Sequence, residues 1–464
     1  MMKEKNIGYV VFLTVVAALG GFLFGYDTAV ISGTIEQVTA QYQLSSIQQG
    51  WYVGCALVGS MIGVLIAGYC SERFGRKLSL FFSAILFFLS GIGCAIAQDI
   101  DALVIYRIIG GLAIGMVSII SPMYISEIAI AKYRGRLVAM YQLAITAGFL
   151  GAYLVNYQLL QYAVSGAEFE NATLQKVFIA EVWRAMLGME AMPALLFLLI
   201  LFFIPESPRW LLLKNNINKA VAVLEKINKS REVANEEATA IKEKMVAGEG
   251  KLNYRLLLKP KYFKVLLIGV AIAILGQFMG VNAVLYYGPT IFKNSGLSEG
   301  DSLFYQVLVG LVNMLTTVLA IFIIDRVGRK KLVYWGVSGM ILCLVLIGVY
   351  FWRGEQWSWP NEVLLFLFLF YVFCCAVSVS AVVFVLLSEL YPNAVRGMAM
   401  SIAGFSLWVG TYLIGQLTPW MLDVLTPHGT FWLFAVMCLP YMYIVWKHIP
   451  ETAGKSLEEI EAMW

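Results

Sequence analysis

Charged residues are scarce in this chain. They make up 13% of its 464 residues, against about 25% in an ordinary soluble domain, while hydrophobic residues reach 60%. This balance excludes a soluble protein. Basic and acidic residues nearly cancel, at a net charge of +4, and no basic patch is interleaved with aromatic residues. The composition therefore gives no support to a nucleic-acid partner.

Histidines are few, and the potential ligands do not have the spacing of a metal site. The two histidines, His428 and His448, lie far apart, and the seven cysteines fall in or beside apolar runs. These cysteines are interpreted as small buried apolar residues, with no disulfide framework. The sequence shows no nucleophile–base set, phosphate-binding glycine loop or metal cluster. We therefore expect no catalytic residues, no metal site and no cofactor, and the protein is not expected to be an enzyme.

Long apolar runs are what the chain has instead. A membrane span needs about 20 mainly apolar residues. Twelve segments meet this requirement, at approximately 8–32, 48–70, 78–97, 101–125, 136–160, 183–204, 262–288, 302–324, 332–352, 362–387, 398–422 and 429–449. The first is too long for the hydrophobic region of a signal peptide and lacks a small-residue cleavage site, so it is interpreted as a retained helix.

One sizeable polar insert, residues 205–261, separates the sixth and seventh spans. It contains charged, helix-prone sequence such as 220–229 and 236–244. The sequence therefore predicts an all-α membrane protein with a short cytoplasmic helical linker. Its predicted parts are an N-terminal six-helix bundle (1–204), the linker (205–261), a C-terminal six-helix bundle (262–449) and a cytoplasmic tail (450–464).

The distribution of lysine and arginine predicts the orientation in the membrane. If both termini are cytoplasmic, 28 of the 33 basic residues lie on the cytoplasmic side, and Arg107 lies within a span. The outer side keeps only Lys176, Arg184, Lys293 and Arg353. The positive-inside rule then predicts a multi-pass protein of the plasma (inner) membrane with both termini in the cytoplasm.

The two halves of the chain repeat each other at their predicted membrane boundaries. Three pairs of short motifs match in order: 126–135 with 388–397 (SE, six residues, RG), 73–77 with 326–330 (RFGRK and RVGRK), and 205–207 with 450–452 (PES and PET). In a chain this apolar, a duplicated half is typical of a transporter built from two bundles around a midplane site.

These boundary residues are candidates for a cytoplasmic gate. Carboxylates and guanidiniums can pair across helices in one conformation and separate in another. A simpler interpretation is topological, with basic loops staying inside and acids neutralising them. Repetition in both halves favours the gate, whose candidates are Arg73, Arg76, Glu127, Arg134, Glu206, Arg209, Asp325, Arg326, Arg329, Glu389 and Arg396.

Further motifs carry a family resemblance. They are 25–33 (GYDTAVISG), 106–111 (YRIIGG), 121–124 (SPMY), 205–210 (PESPRW), Gln277-Phe278 with Asn282, and Tyr286-Tyr287. Over nearly its whole length the chain resembles sugar porters of the major facilitator superfamily, close to bacterial proton-coupled xylose transporters. This resemblance implies the major facilitator fold, with six plus six transmembrane helices and alternating access.

Two ionisable residues, Asp27 and Arg107, lie deep in the first and fourth spans. A charge at mid-bilayer costs roughly 2.5–3.5 kcal/mol on insertion scales, so the two are expected to pair. A conformational change in their separation would alter the proton affinity of Asp27, although a permanent structural pair is an alternative. The resemblance favours a proton carrier, since proton-driven sugar porters have aspartate here where facilitators tend to have asparagine. Glu190, in the sixth span, is expected to support this network.

The seventh span contains candidate sugar-binding side chains. Sugars are bound by amides and hydroxyls, with aromatic faces against their C–H side. Glycines and a proline interrupt this span, so the helix can bend where polar side chains face a cavity. An interhelical hydrogen bond is the alternative role for each polar residue. The polar candidates at positions matching the family's binding residues are Gln277, Asn282, Tyr286 and Asn313. Candidates for aromatic faces are Phe24, Phe384 and Trp408, and Phe149 stands at a position where the family has a sugar-binding glutamine.

At several positions of the predicted binding site, this chain lacks a hydrogen-bonding or stacking group that the family has. Phe149, Gly276 and Leu407 stand where the family has glutamines, and 378–384 (SVSAVVF) replaces a Gly-Pro pair and a stacking tryptophan. A site with fewer hydrogen-bonding groups discriminates less for hydroxyls. A deoxy or modified monosaccharide, or a cyclic polyol, is therefore expected to fit better than plain glucose or xylose.

The sequence as a whole predicts a secondary active transporter that moves a monosaccharide-like solute with a proton. Its expected partners are that solute, the proton and the lipid bilayer, and it is expected to act as a monomer. Three alternatives stay open: a passive sugar uniporter, a carrier of a non-sugar solute, and a nutrient receptor that binds without transport. Accumulation against a gradient distinguishes a symporter from a uniporter.

Overall fold

The computed structural model describes residues 5–130, 133–166, 168–247, 254–391, 395–449 and 451. Within these ranges, the side chains of 244–247, 254, 255, 261, 325, 326, 384, 385, 388 and 389 fall outside the description. The described residues are helical and include no strand, which confirms the predicted all-α class.

Twelve helical segments in this part of the chain are long and apolar enough to cross a bilayer, as the sequence predicts. In order they are Ile7–Gly33, Ser46–Phe74, Arg76–Ile96, Ile100–Ile128, Arg134–Val164, Val182–Phe203, Tyr262–Lys293, Glu299–Ile324, Arg329–Arg353, Asn361–Val383, Arg396–Val424 and Thr426–His448. Below they are called the first to twelfth spans.

The seventh span is broken where the sequence predicts a bend. It consists of the helices Pro260–Phe278 and Val281–Lys293, and Gly280 between them has a φ of 91°. L-residues with a side chain rarely adopt that backbone conformation. A Cβ at Gly280 would also collide with the Phe434 ring. The break separates Gln277 from Asn282 and exposes backbone groups that a continuous helix would pair.

Two other spans are irregular. The sixth comprises Val182–Gly188, Ala191–Ile200 and the 3₁₀ turn Leu201–Phe203. The tenth comprises Asn361–Cys375, the π-helical segment Ala376–Ser380 and the helix Ala381–Leu390. This wide turn lies in the segment where the family's Gly-Pro is missing, and the Ser378 hydroxyl donates to the Cys374 carbonyl at 2.6 Å. The tenth helix is therefore irregular without a proline.

The linker is helical, as predicted. Its helices are Pro208–Leu213, Ile217–Asn228, Arg231–Ala247 and Tyr254–Leu257. Ser207 caps the first of them by accepting a hydrogen bond from the Trp210 amide at 3.4 Å. Short helices at Ile35–Tyr42 and Ala172–Gln175, and a π-helical turn at Lys176–Ala180, connect spans on the side predicted to be external.

The contacts divide the chain into two compact units. The first contains Met1–Asp27, Gly59–Gly148 and Leu187–Leu252, and its core includes Leu23, Phe87 and Phe197. The second contains Thr28–Val58, Phe149–Met186 and Asn253–Trp464, and its core includes Tyr153, Phe292 and Tyr371. The second unit thus combines segments of the first six spans with the last six. The division at residues 204 and 262 stays a prediction.

Candidate transport site

Asp27 and Arg107 form an ion pair in the core of the first unit. Their side chains, from the first and fourth spans, are 0% and 2% exposed. Arg107 Nη1 donates to Asp27 Oδ1, and both Nη atoms reach the Asp27 main-chain carbonyl, at 3.3 and 3.4 Å. The structure thus brings these two candidates together, and each buried charge has the partner that an apolar environment requires.

Glu190 belongs to the same buried region. It is 1% exposed, immediately precedes the Ala191–Ile200 helix, and interacts electrostatically with Asp27 and Arg107. Its Oε1 atom, like Asp27 Oδ2, has no hydrogen-bond partner among the described residues. Two buried carboxyl groups therefore lie in the field of one guanidinium, and Asp27 is the one paired with it. Such a group carries excess negative charge unless one carboxyl is protonated, which suits it to binding and releasing a proton.

Close helix packing positions this pair. A Cβ at Gly25 would collide with the Ile145 carbonyl, so the first and fifth spans touch through their backbones. On the fourth span, a Cβ at Gly110 would lie 2.6 Å from Asp27 Oδ2. Small residues allow membrane helices to approach this closely. The two glycines therefore let neighbouring helices enclose the Asp27 carboxyl.

A second polar group lies at the break of the seventh span, in the second unit. Asn282 Nδ2 donates to Gln277 Oε1 at 2.7 Å. Thr411, from the eleventh span and only 5% exposed, contacts the same oxygen at 3.2 Å and the Leu407 carbonyl at 2.9 Å. With its oxygen occupied, the Gln277 amide is left with its N–H groups to donate to a ligand. Gln277 and Asn282 are thus brought together as candidates.

Thr411 is not among the site residues predicted from the sequence. It follows the candidate Trp408 by three residues on the same helix, and that spacing places both on one side of the eleventh span. A polar residue three positions after Trp408 is the sequence feature that could have indicated Thr411 as a site residue. A Cβ built on the neighbouring Gly410 would lie 3.2 Å from the Gln277 side chain. The eleventh and seventh spans are therefore in close contact here.

The aromatic candidate Phe149 is buried within the second unit. It is 7% exposed, and its ring lies 6.2 Å from that of Tyr153, centroid to centroid. The Tyr153 hydroxyl donates to the Leu285 carbonyl at 2.8 Å, next to the buried Tyr286. Phe149 is therefore held by packing against a tyrosine that is itself bonded to the seventh span.

The remaining candidates are less constrained. Asn313 and Trp408 are half-buried in the eighth and eleventh spans of the second unit, and Phe24 is half-buried in the first unit. The Asn313 main-chain carbonyl accepts from the Thr317 hydroxyl at 2.8 Å. The Phe384 side chain lies outside the described residues. A shared role for these four stays a prediction.

Three of the gate candidates meet in the first unit. Arg76 makes a two-pronged pair with Glu127, at 2.9 and 2.8 Å, with both side chains almost fully buried. Ser207 also donates its hydroxyl to Glu127. Glu206 accepts from the main-chain amides of Arg76 at 2.9 Å and Lys77 at 3.1 Å. Charge-assisted pairs of this geometry are strong, so linker and helix ends are tied together here.

Burial raises the pKa of the Glu206 carboxyl, whereas the amides of Ser207, Lys77 and Arg76 and the charge of Arg76 act in the opposite direction. Arg73, Arg134 and Arg209 are exposed, and no ion pair joins them to Glu127 or Glu206 within the described residues. The structure therefore brings together only part of this half of the predicted gate.

The second half contains a matching contact. Glu451 accepts from the main-chain amides of Arg329 and Lys330, both at 3.1 Å. The repeated sequence motif contained Glu451, but the candidate gate residues did not include it. Arg396 Nε donates to the Tyr391 carbonyl at 3.1 Å. The side chains of Asp325, Arg326 and Glu389 fall outside the described residues.

Another set of contacts, within the second unit, joins helices of the two halves on the side predicted to be external. Lys293 pairs with Glu36, and Gln37 Nε2 donates to Glu299 Oε1 at 3.0 Å. Gln37 Oε1 also accepts from the Trp183 amide at 3.2 Å. Lys293 is one of the few basic residues predicted on that side, and this is the sequence feature that could have indicated an ion pair there. We call these four residues, Glu36, Gln37, Lys293 and Glu299, the outer contact.

The chain is similar in sequence to a known protein family and to individual transporters. The profile of the family described as "Sugar (and other) transporter" matches residues 13–464. The D-xylose-proton symporter of Escherichia coli (strain K12) is 39% identical over 497 aligned positions, covering 100% of this chain and 97% of the relative. The arabinose-proton symporter of Bacillus subtilis (strain 168) is 38% identical and covers 100% and 96%.

A solved structure matches at full length as well. It is that of the proton:xylose symporter XylE bound to 6-bromo-6-deoxy-D-glucose, with a TM-score of 0.79 and 39% identity, covering 99% of this chain and 100% of the other. At that level of identity and coverage the shared fold extends over both halves of the chain.

Proposed function

Because the chain belongs to the sugar transporter family of the major facilitator superfamily, we propose that it moves a monosaccharide together with a proton by alternating access. The earlier resemblance is thereby confirmed, and the protein is a multi-pass membrane transporter and not an enzyme. Relatives named as proton symporters of xylose and of arabinose support coupling to protons.

The observation that carries this proposal is the buried group of Asp27, Arg107 and Glu190. A permanent structural pair would need only one carboxyl for the guanidinium, whereas this site holds two carboxyls out of contact with solvent. Neutralising the excess negative charge requires one bound proton. Asp27 is the proposed carrier, since Arg107 contacts it directly and any movement between the first and fourth spans changes that contact.

Proton and sugar are proposed to be coupled through these helices. When Asp27 is charged, its bond to Arg107 is strong and holds the first and fourth spans together. When it is protonated, the attraction between the two helices weakens. Protonation would therefore favour one helix arrangement, and the sugar would bind better to one of the two arrangements, as coupling requires.

The proposed sugar site contains Gln277, Asn282 and Tyr286, with Thr411 positioning the Gln277 amide. Phe149 supplies a buried apolar surface where the family has a glutamine. A sugar that lacks a hydroxyl at this position leaves no donor or acceptor unpaired. We therefore favour a deoxy or modified sugar, or a cyclic polyol. A relative that binds 6-bromo-6-deoxy-D-glucose shows that a modified sixth carbon is compatible with this fold.

Two gates are proposed on opposite sides of the membrane. The Arg76–Glu127–Glu206 group and the Glu451 contact lie at the predicted cytoplasmic boundaries. The outer contact of Glu36, Gln37, Lys293 and Glu299 lies on the other side. Alternating access requires the two sides to open in turn. Cytoplasmic termini, a plasma-membrane location and a monomeric state are part of this proposal.

Uptake into proteoliposomes tests the function. Labelled D-xylose, L-arabinose, D-glucose, L-fucose and myo-inositol are offered with and without an inward proton gradient. We expect accumulation above equilibrium for at least one of them, and only with the gradient. Equilibration without accumulation would support a uniporter, and saturable binding without any uptake a receptor. Strong competition by xylose and glucose, with none by 6-deoxyhexoses or polyols, would contradict the less polar substrate.

A further inference from the structure

Ser90 places a second polar oxygen beside the Asp27 carboxyl. It lies in the third span and is 0% exposed. A Cβ built on Gly110 of the fourth span would lie 2.5 Å from Ser90 Oγ and 2.6 Å from Asp27 Oδ2. The two oxygens therefore face each other across the space that a side chain at position 110 would fill. Glycine at 110 keeps that space open.

Other serines of the same helix behave differently. Ser79 and Ser83 donate to the carbonyls of Gly75 and Ser79, at 2.7 and 3.0 Å, which is the common use of serine inside a helix. By donor–acceptor geometry, Ser90 Oγ and Asp27 Oδ2 have no nitrogen or oxygen partner among the described residues, and Ser90 has only a weak interaction with the Cys94 thiol. Buried polar atoms rarely lack a hydrogen-bond partner. The two atoms are thus poised for a bond that forms in another state of the site.

The chemistry of Arg107 decides which Asp27 oxygen can take a proton. Arg107 Nη1 donates to Asp27 Oδ1, and a guanidinium has only donors and no acceptor. A proton on Oδ1 would therefore meet another N–H group. A proton on Oδ2 avoids the oxygen to which Nη1 donates, and the nearby Ser90 hydroxyl oxygen can accept a hydrogen bond from it.

We propose that Asp27 Oδ2 is the atom that binds the transported proton, and that Ser90 is the positioning residue whose oxygen accepts the resulting O–H hydrogen bond. This inference rests on the proposed role of Asp27 and assigns the atoms involved. A proton from water on the open side adds to a lone pair of Oδ2 and leaves to water on the other side. A change of the Ser90 χ1 rotamer brings its hydroxyl to the acid.

The other ionisable groups around this site are few. Arg107 comes from the fourth span, Glu190 from the sixth and Cys94 from the third, and Tyr26 precedes Asp27 on the first. The Cys94 thiol also approaches Ser90, but a thiol is a weak donor and a weak acceptor. Ser90 Oγ is therefore a stronger acceptor for an Oδ2 proton than the neighbouring Cys94 thiol.

Difference infrared spectroscopy of the full-length protein in lipid vesicles tests this without any sugar. The C=O stretch of protonated Asp27 is identified as the band that Asp27→Asn removes. In Ser90→Ala the acid loses its acceptor, so the band moves to higher frequency and its protonation midpoint falls by about half to one pH unit. Ser83→Ala, in the same helix, changes neither value, and Ser90→Thr, which keeps the hydroxyl, matches the wild type.

The outcomes separate this inference from the function on which it rests. If Asp27→Asn removes no band, Asp27 does not carry the proton and both proposals are wrong. If the band exists but is unchanged by Ser90→Ala, or if Ser90→Thr behaves like the alanine variant, only the assignment of Ser90 is overturned. Ser90→Cys replaces the alanine variant if that protein does not insert, with a smaller shift in the same direction expected.

Discussion

Glu206 and Glu451 hold the amino ends of two helices in the same way. Each accepts hydrogen bonds from the first two main-chain amides of the helix that follows Gly75 or Gly328. Those glycines have φ values of 94° and 92°. The repeated sequence motifs thus correspond to a repeated contact, in which a residue following a later span fixes the start of an earlier one.

Gly75→Ala is expected to destabilise the protein. A Cβ there would collide with the Glu206 carboxylate, and positive φ adds strain of about 1–3 kcal/mol. We expect a melting temperature several degrees lower in a thermal-shift measurement. Gly68→Ala is the matched control, since a Cβ at position 68 meets nothing within 4 Å. Equal melting temperatures for the two variants would contradict the role of this contact.

The pH dependence of stability is expected to include a contribution from Glu206. Burial raises its pKa in the folded protein above the ordinary 4.5, so the unfolded chain loses this proton at a lower pH than the folded one. The contribution is therefore fully present below pH 4.5 and is lost as the pH rises through the folded value.

Glu206→Gln cannot ionise and should remove this dependence. The melting temperature of the wild type, relative to the variant, is expected to fall as the pH rises above 4.5. A constant difference between the two proteins across that range would show that the carboxyl titrates alike in both states.

Lys293→Met is expected to loosen the outer contact. The Lys293 and Glu36 side chains are 50% and 21% exposed, and such pairs contribute about 0–1 kcal/mol, so the change in population is at most about fivefold. Spin labels at Ile47 and Asn294 should report a larger fraction of long distances. Lys176→Met is the control, because Lys176 pairs with Glu181 nearby in sequence. Identical distance distributions would argue against a gate there.

Thr411→Val is expected to weaken sugar binding and leave the maximum rate unchanged. It removes the hydroxyl that contacts Gln277 Oε1, and one hydrogen bond contributes about 0.5–1.5 kcal/mol. The KM for D-xylose counterflow should rise about two- to tenfold, and Thr411→Ser should restore it. Thr418→Val, in the same helix, removes only a bond to the Ile414 carbonyl and serves as control. An unchanged KM would remove Thr411 from the site.

The fold could be predicted because its signals are local. An apolar run of sufficient length specifies a span wherever it occurs, and the twelve runs agree with the twelve helical segments. The glycines of the seventh span likewise indicated a break, and Gly280, where the helix is interrupted, has the positive φ that glycine adopts readily. Asp27 and Arg107 could be paired from the sequence because buried charges in apolar helices need partners.

The rest of the site depends on contacts between distant segments. Thr411 reaches Gln277 and Lys293 reaches Glu36 only through the way their helices pack, which no single segment specifies. Among the predicted gate arginines, Arg76 is buried against Glu127 whereas Arg73, in the last turn of the preceding span, is exposed. The sequence motif treats the two alike, but they belong to different helices, because the second span ends at Phe74 and the third begins at Arg76.

Sugar uptake by the wild type and by Asp27→Asn in proteoliposomes, measured with an imposed proton gradient and with an uncoupler, tests whether Asp27 carries the transported proton. We expect that the variant still exchanges labelled sugar for unlabelled sugar across the membrane but no longer accumulates it. The wild type is expected to accumulate sugar until the uncoupler is added. Accumulation by Asp27→Asn that keeps the usual sensitivity to the uncoupler would contradict the assignment of Asp27 as the proton carrier.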